Sequence, residues 1–202
     1  MEDIFTKIYE NKIWGDNQNN YYSGSSGGGS CIKNNEEYIK ILKNIIKEYN
    51  IRNIVDLGCG DFQMGRLIYD DINVLYTGYD TYKKIIDYHI PLYPEPKYTF
   101  EHLDFFTNKD SIVEGDMCIL KDVLQHWEIN EIYTFMDYLI ESKKFKYILL
   151  VNCCNQIIDN QNLDRTRWRP LSCNFLPLKK YNAIKIDSYD TKEISIIKVQ
   201  NL

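Results

Sequence analysis

The sequence predicts an α/β fold, a doubly wound and mostly parallel sheet of about seven strands with a C-terminal antiparallel strand. Three observations predict it. Short apolar runs alternate with amphipathic stretches along the chain. The first of these runs ends in a glycine turn, Gly58-Cys59-Gly60. The last two runs are joined by only Tyr189-Asp190-Thr191-Lys192, too short for a parallel crossover, so they pair as a hairpin.

Taken in order, Met1 to Glu10 mixes charges with isolated apolar residues, and Asn17 to Ser30 is almost wholly Asn, Tyr, Ser and Gly. Residues 1–30 therefore read as an N-terminal lid segment, and 31–202 as the domain. Glu36 to Tyr49 places Ile39, Leu42, Ile45, Ile46 and Tyr49 at helical spacing. Asn53 to Leu57 is a buried strand, and Phe62 to Tyr69 reads as a helix. Val74 to Tyr79 is a second strand ending at Asp80, and Lys83 to Tyr88 a short helix. Pro91, Pro94 and Pro96 mark a loop containing His89. Tyr98 to Leu103 is a third strand ending at Asp104, and Asp116 to Lys121 a fourth. Ile129 to Glu141 is a helix with Ile132, Phe135, Met136, Leu139 and Ile140 on one face. Tyr147 to Cys153, Ala183 to Ser188 and Ile194 to Val199 complete the strands.

Composition bounds the function. The 202 residues are 44% hydrophobic and 26% charged, as in a globular domain, with a net charge of −5. That balance argues against a protein that coats nucleic acid. Tyr is abundant at 17, while Ala183 is the only alanine, a bias of AT-rich coding. No apolar run is long enough for a membrane span. The six cysteines form no CxxC pair, and Cys59, Cys118 and Cys153 sit at strand ends as small hydrophobes. A reducing, cytoplasmic protein without a metal site is expected.

The chemistry concentrates at strand ends. Glycines after the first strand let a cofactor approach the backbone, and Asp80, twenty residues beyond Gly60, is placed to accept both hydroxyls of an adenosine ribose. A dinucleotide site needs a third glycine at GxGxxG spacing, and here Gly65 is displaced. Asp56 and Asp61 flank the turn and would repel a pyrophosphate. They suit S-adenosylmethionine, whose ammonium and sulfonium are both positive. Tyr79 and Lys83 have the YxxxK spacing of short-chain reductases but lie too early in the fold to be that pair.

Asp56-Leu57-Gly58-Cys59-Gly60, Thr77-Gly78-Tyr79-Asp80 and the run Asp116 to His126 resemble three motifs of class I S-adenosylmethionine-dependent methyltransferases, whose sheet is Rossmann-like. The likeness extends to a small subgroup with an N-terminal Trp-Gly (Trp14-Gly15), a Ser-Gly-rich segment (Ser23 to Gly27), a CGDF turn (Cys59 to Phe62), Asp-x-Leu-x-His (Asp122 to His126) and Trp-Arg-Pro-Leu (Trp168 to Leu171). Gln63 departs from the subgroup's pattern, and the glycine-rich stretch is expanded.

The resemblance implies a cofactor set of Trp14, Ser25, Asp56, Gly58, Cys59, Gly60, Asp61, Asp80, Asp104, Phe105 and Lys121. Asp104 and Phe105 would meet the adenine, with a turn cap the lesser alternative for Asp104. His126 and Asp122 are the catalytic pair: a hydroxyl acceptor needs a base, and histidine titrates near neutrality. If 122–126 is helical, Asp122 lies one turn from the imidazole and orients it. Asn152, Arg165, Arg167, Trp168 and Arg169 are expected to bind the acceptor. In an extended segment the three arginines face one way and clamp an anion. The expected reaction is O-methylation of a small polar, anionic acceptor such as a sugar or nucleotide-sugar. RNA or protein methylation, an NAD(P)-dependent reductase and a non-catalytic cofactor-binding subunit are the alternatives.

Overall fold

The computed structural model describes residues 1–93, 96–155 and 165–199. Pro94 and the acidic residues Asp159 and Asp164 lie outside them. The chain divides into two compact units, Met1–Ile112 and Val113–Leu202.

The first unit opens with helix α1 (Glu2–Glu10), which buries Ile8 and Tyr9. Its apolar residues Ile4, Phe5, Ile8 and Tyr9 recur one turn apart, a helical signal too short to stand out among the charges. Residues 11–35 follow as ordered turns. Asn17 Nδ2 donates to the Tyr22 and Gly24 carbonyls, and the Asn17 and Asn19 side chains cap the backbone between them. This Asn/Ser/Gly stretch is therefore built as a chain of side-chain-to-backbone bonds. Helix α2 (Glu36–Glu48) buries Tyr38, Leu42, Ile45 and Ile46, with Glu36 and Glu37 in its first turn and Lys47 in its last, matching the helix dipole.

Strand β1 (Asn53–Leu57) leads into the glycine turn and helix α3 (Gly65–Tyr69). The helix starts three residues later than the sequence suggests, because Phe62 takes a positive φ of 51°. Strand β2 (Leu75–Asp80), helix α4 (Lys83–Leu92) and strand β3 (Tyr98–His102) follow. The expected loop from Pro91 is a correction: α4 runs through Pro91, which sits in the last turn. His89 is thus a helical residue, 1% exposed. Within this unit the strand order is β3-β2-β1, all parallel.

The second unit contains strand β4 (Gly115–Lys121), helix α5 (Ile129–Glu141), strand β5 (Phe145–Cys153) and the hairpin β6 (Ile184–Tyr189) and β7 (Lys192–Lys198). Helix α5 begins with a reciprocal Glu128/Glu131 capping box and buries Ile132, Phe135, Met136 and Leu139. Within this unit the order is β4-β5-β7-β6, with β4 and β5 parallel and β7 antiparallel to both its neighbours. The sheet is thus seven-stranded and mixed, as the alternating pattern predicts. No helix among the described residues is long and apolar enough to cross a membrane.

Candidate functional site

In the first unit the glycine turn is held from three sides. The Gly58 and Cys59 amides both donate to the Tyr79 carbonyl at 2.8 and 3.0 Å. The Gly60 amide donates to Asp80 Oδ2 at 2.9 Å, and the Tyr82 amide to Asp80 Oδ1 at 2.9 Å. His89 Nε2 bonds the Gly60 carbonyl at 2.9 Å. A carbonyl only accepts, so His89 carries its proton on Nε2, and burial holds its pKa below the ordinary value. Gly60 has a φ of 54°, and a Cβ there would stand 2.5 Å from Ser26 Oγ. The turn requires glycine for both reasons.

The carboxylates gather around this turn. Asp80 is 6% exposed, and burial raises its pKa. Asp56 accepts the Tyr76 hydroxyl at 2.7 Å. Asp61 Oδ2 accepts from Gln63 Nε2 at 2.8 Å and from the Ser26 amide at 3.3 Å. Burial and then the charges of Asp80, Asp56 and Asp61 push the Cys59 thiol well above its usual pKa. The field at the turn is therefore negative.

The N-terminal residues close on the same turn. Ser26 Oγ accepts the Asp61 amide at 2.8 Å and shares a 2.7 Å hydrogen bond with the Tyr9 hydroxyl. The Tyr9 ring stacks on Tyr82 at 4.5 Å, and Trp14 packs edge-on against Tyr9. Ser25 Oγ donates to the Trp14 carbonyl at 3.3 Å. Trp14 and Ser25 thus connect to the glycine turn through Tyr9 and Ser26. Asp104 Oδ1 accepts the Phe106 and Thr107 amides, and Oδ2 accepts the Met1 ammonium at 2.7 Å. Asp104 therefore makes the turn-cap contacts that its sequence position also suited, with Phe105 buried beside it. A polar cleft of about 360 Å³ opens between Lys12, Asn17 to Ser23 and Lys84, and no predicted site residue lines it.

In the second unit β4 ends at Lys121, and the chain then turns through Asp122 at a φ of 59°. The stretch 122–126 is not an α-helix, since a short 3₁₀ turn covers only Leu124–His126. This corrects the expected helical spacing. Asp122 instead receives Lys121 Nζ on Oδ2 at 2.7 Å and Lys192 Nζ on Oδ1. Burial opposes its charge, but these two ammoniums hold its carboxyl below the usual range. His126 Nδ1 bonds the Arg167 carbonyl at 2.7 Å, so the neutral ring has its basic lone pair on Nε2. Burial lowers the His126 pKa, against the pull of the Arg167 carbonyl and the Asp122 charge.

The three arginines are not in the extended segment expected of them, while Arg165 and Arg169 both stand near Glu128 and Glu131. Residues 165–167 turn and bend, so the extended alternation fails. Arg165 bonds Glu131 at 2.5 Å, while Arg167 and Trp168 are exposed. Arg169 is 7% exposed, and its amide donates to the Gln125 carbonyl. Asn152 is buried on β5, and its Oδ1 has no hydrogen-bond partner among the described residues. Among the described residues no group of three His, Cys, Asp or Glu side chains could hold a metal ion.

The fold is one that solved methyltransferases share. The methyltransferase domain of a bacterial protein, CtHen1-C, superposes with a TM-score of 0.62 at 18% identity, covering 81% of this chain and 97% of that one. Human N-acetylserotonin methyltransferase, crystallised with S-adenosylmethionine, gives 0.58 at 14% identity, covering 80% and 55%. The N-methyltransferase NodS from Bradyrhizobium japonicum, crystallised with S-adenosylhomocysteine, gives 0.58 at 9% identity, covering 81% and 85%. No family model and no curated protein matches the chain.

Tyr9, Ser26, His89 and Lys192 are the site residues that sequence reasoning missed. Only Ser26 carried a signal, its place in the Ser-Gly-rich segment. His89 lies 29 residues from its partner and Lys192 lies 70, so no local pattern reveals either.

Proposed function

We propose that the chain is an S-adenosylmethionine-dependent methyltransferase that methylates an oxygen of a small polar acceptor, a sugar or nucleotide-sugar. One observation carries the cofactor part. Asp56, Asp61 and Asp80 converge on a glycine turn whose Gly60 backbone leaves no room for a side chain. That negative field favours an ammonium and a sulfonium and opposes the pyrophosphate of a dinucleotide. Asp80 holds the ribose, and Asp56 and Asp61 face the cationic part. Gly58, Cys59 and Gly60 pass beneath it, Asp104 and Phe105 take the adenine side, and residues 1–30, with Trp14 and Ser25, form the lid. Lys121 completes the cofactor set.

The bound cofactor supplies an electrophilic methyl group on sulfur. His126 then accepts the acceptor hydroxyl's proton on Nε2, since its Nδ1 proton is committed to the Arg167 carbonyl. Its lowered pKa keeps the ring neutral, and thus basic, at pH 7. Asp122 favours the imidazolium that results. Asn152 offers the acceptor a buried carbonyl oxygen, and Arg165, Arg167, Trp168 and Arg169 belong to the acceptor side.

Calorimetric titration tests the reading. S-adenosylhomocysteine should bind and NAD should not, and Asp80→Asn should weaken S-adenosylhomocysteine tenfold or more. Binding of NAD in preference to S-adenosylhomocysteine would overturn it.

A further inference from the structure

The first unit holds a cleft that no group of the glycine turn lines. It has a volume of about 360 Å³ and lies between Lys12, the loop 16–23 and Lys84 of α4. That is large enough for a small ligand. Its lining differs from the apolar wall usual in such pockets, since it consists of amides, a serine, paired charges and two tyrosines.

The loop is held in place by its own side chains. Asn17 Nδ2 donates to the Tyr22 and Gly24 carbonyls, and Asn19 Oδ1 accepts the Tyr21 and Tyr22 amides. Tyr22 is buried against Tyr82 and Tyr88, and the Ser23 amide donates to the Tyr82 hydroxyl at 3.3 Å. Asn17 and Asn19 are thus committed to the backbone. Gln18 and Asn20 alternate with them, are exposed, and make no hydrogen bond among the described residues. Tyr21 is 76% exposed, although its ring meets that of Tyr88 at 5.3 Å. A fixed loop therefore presents two amides and one aromatic ring at the cleft.

This set of groups matches one ligand chemistry. A side-chain amide places donors and an acceptor in one plane, which suits neighbouring hydroxyls that both donate and accept. A tyrosine ring offers a flat face to the C–H side of a sugar ring. Both lysines of the cleft already have acidic partners: Lys12 Nζ bonds Asp16 and Lys84 Nζ bonds Glu10, each at 2.7 Å. An anion would compete with those two carboxylates, whereas a neutral polyol would not.

We propose that this cleft binds a neutral saccharide, with Tyr21 as the stacking platform and Gln18 and Asn20 as partners of its hydroxyls. The preordered loop lowers the entropy lost on binding. The site is built wholly from the first unit and does not depend on the methyltransferase reading. It is a binding function additional to methyl transfer.

Methyl α-glucoside, methyl β-galactoside, methyl α-mannoside and N-acetylglucosamine, titrated singly into the full chain and followed by NMR, test the site. At least one should bind, with equal affinity at low and high salt because the ligand is neutral. Tyr21→Ala should weaken that binding about fivefold or more, and Tyr21→Phe should keep most of it because the ring remains. Gln18→Ala and Asn20→Ala should each weaken it about twofold to tenfold, the worth of a hydrogen bond. Inorganic phosphate and uridine, titrated in the same way, probe an anion site and a base-stacking site instead. All three residues are exposed, and circular dichroism checks that each variant is folded. Absence of binding by all four sugars overturns the proposal. So does equal binding by wild type, Tyr21→Ala and the two amide variants, or binding of phosphate or uridine in place of the sugars.

Discussion

At the scale of single residues, two histidines have their tautomers set by backbone carbonyls, in opposite senses. His89 is protonated on Nε2 by its bond to Gly60, and His126 on Nδ1 by its bond to Arg167. The first serves the glycine turn, and the second leaves a basic nitrogen. His126→Asn should leave S-adenosylhomocysteine affinity unchanged and lower kcat by about 10²–10⁴, the usual worth of a general base. Unchanged turnover with an identified acceptor would remove His126 from the mechanism. At Gly60 the positive φ and the contact with Ser26 act together. Gly60→Ala should cost about 1–3 kcal/mol of stability in urea titration, from backbone strain and displacement of Ser26. Asp56, Gly58, Gly60 and Asp80 are legible in the sequence because they cluster next to predicted strand ends. Ser26, His89 and Lys192 are not, since their meaning comes from partners far along the chain.

Among the elements, those with a clear period follow the sequence pattern closely. Helix α5 spans Ile129–Glu141 as expected, because four core residues repeat at helical spacing behind a capping box. Helix α1 was lost among charges, and α4 was cut short at a proline that a final helical turn accommodates. The arginine segment departs from the expected extended backbone, since residues 165–167 turn. Within the first unit, α1 attaches to the turn region through Tyr9, which stacks on Tyr82 and bonds Ser26. Tyr9→Phe keeps the stack and loses the hydrogen bond, and should cost about 0.5–1.5 kcal/mol. Tyr9→Ala loses the buried ring as well and should cost about 3–5 kcal/mol, the range for a large buried aromatic. Chemical denaturation of both variants checks this. Equal losses would mean that the ring packing contributes nothing.

For the whole molecule, acid should be destabilising in two stages. Burial depresses the pKa of both His89 and His126 in the folded chain. A depressed folded value means that the unfolded chain binds protons first, so this stability is complete above about pH 6.5 and is lost as pH falls through the folded values. Asp122 and Asp104 are also depressed, and their contribution disappears at lower pH, below the ordinary carboxylate range. Asp80 works in the other direction, because burial raises its pKa. Melting temperatures measured from pH 7.5 to 5.5 should fall, and His89→Gln should flatten part of that slope. A flat wild-type profile over this window would contradict the burial of two neutral histidines.

The alternation of apolar runs and amphipathic stretches by itself determined the strand succession, the terminal hairpin and the acidic glycine turn, because periodicity and turn chemistry are properties of neighbouring residues. Only the tertiary structure decided which nitrogen each histidine protonates, that Tyr9 and Ser26 close on Gly60, and that Lys192 reaches Asp122. Those are pairings across tens of residues. They depend on strand register and on where turns aim side chains, and no local pattern of residues encodes either.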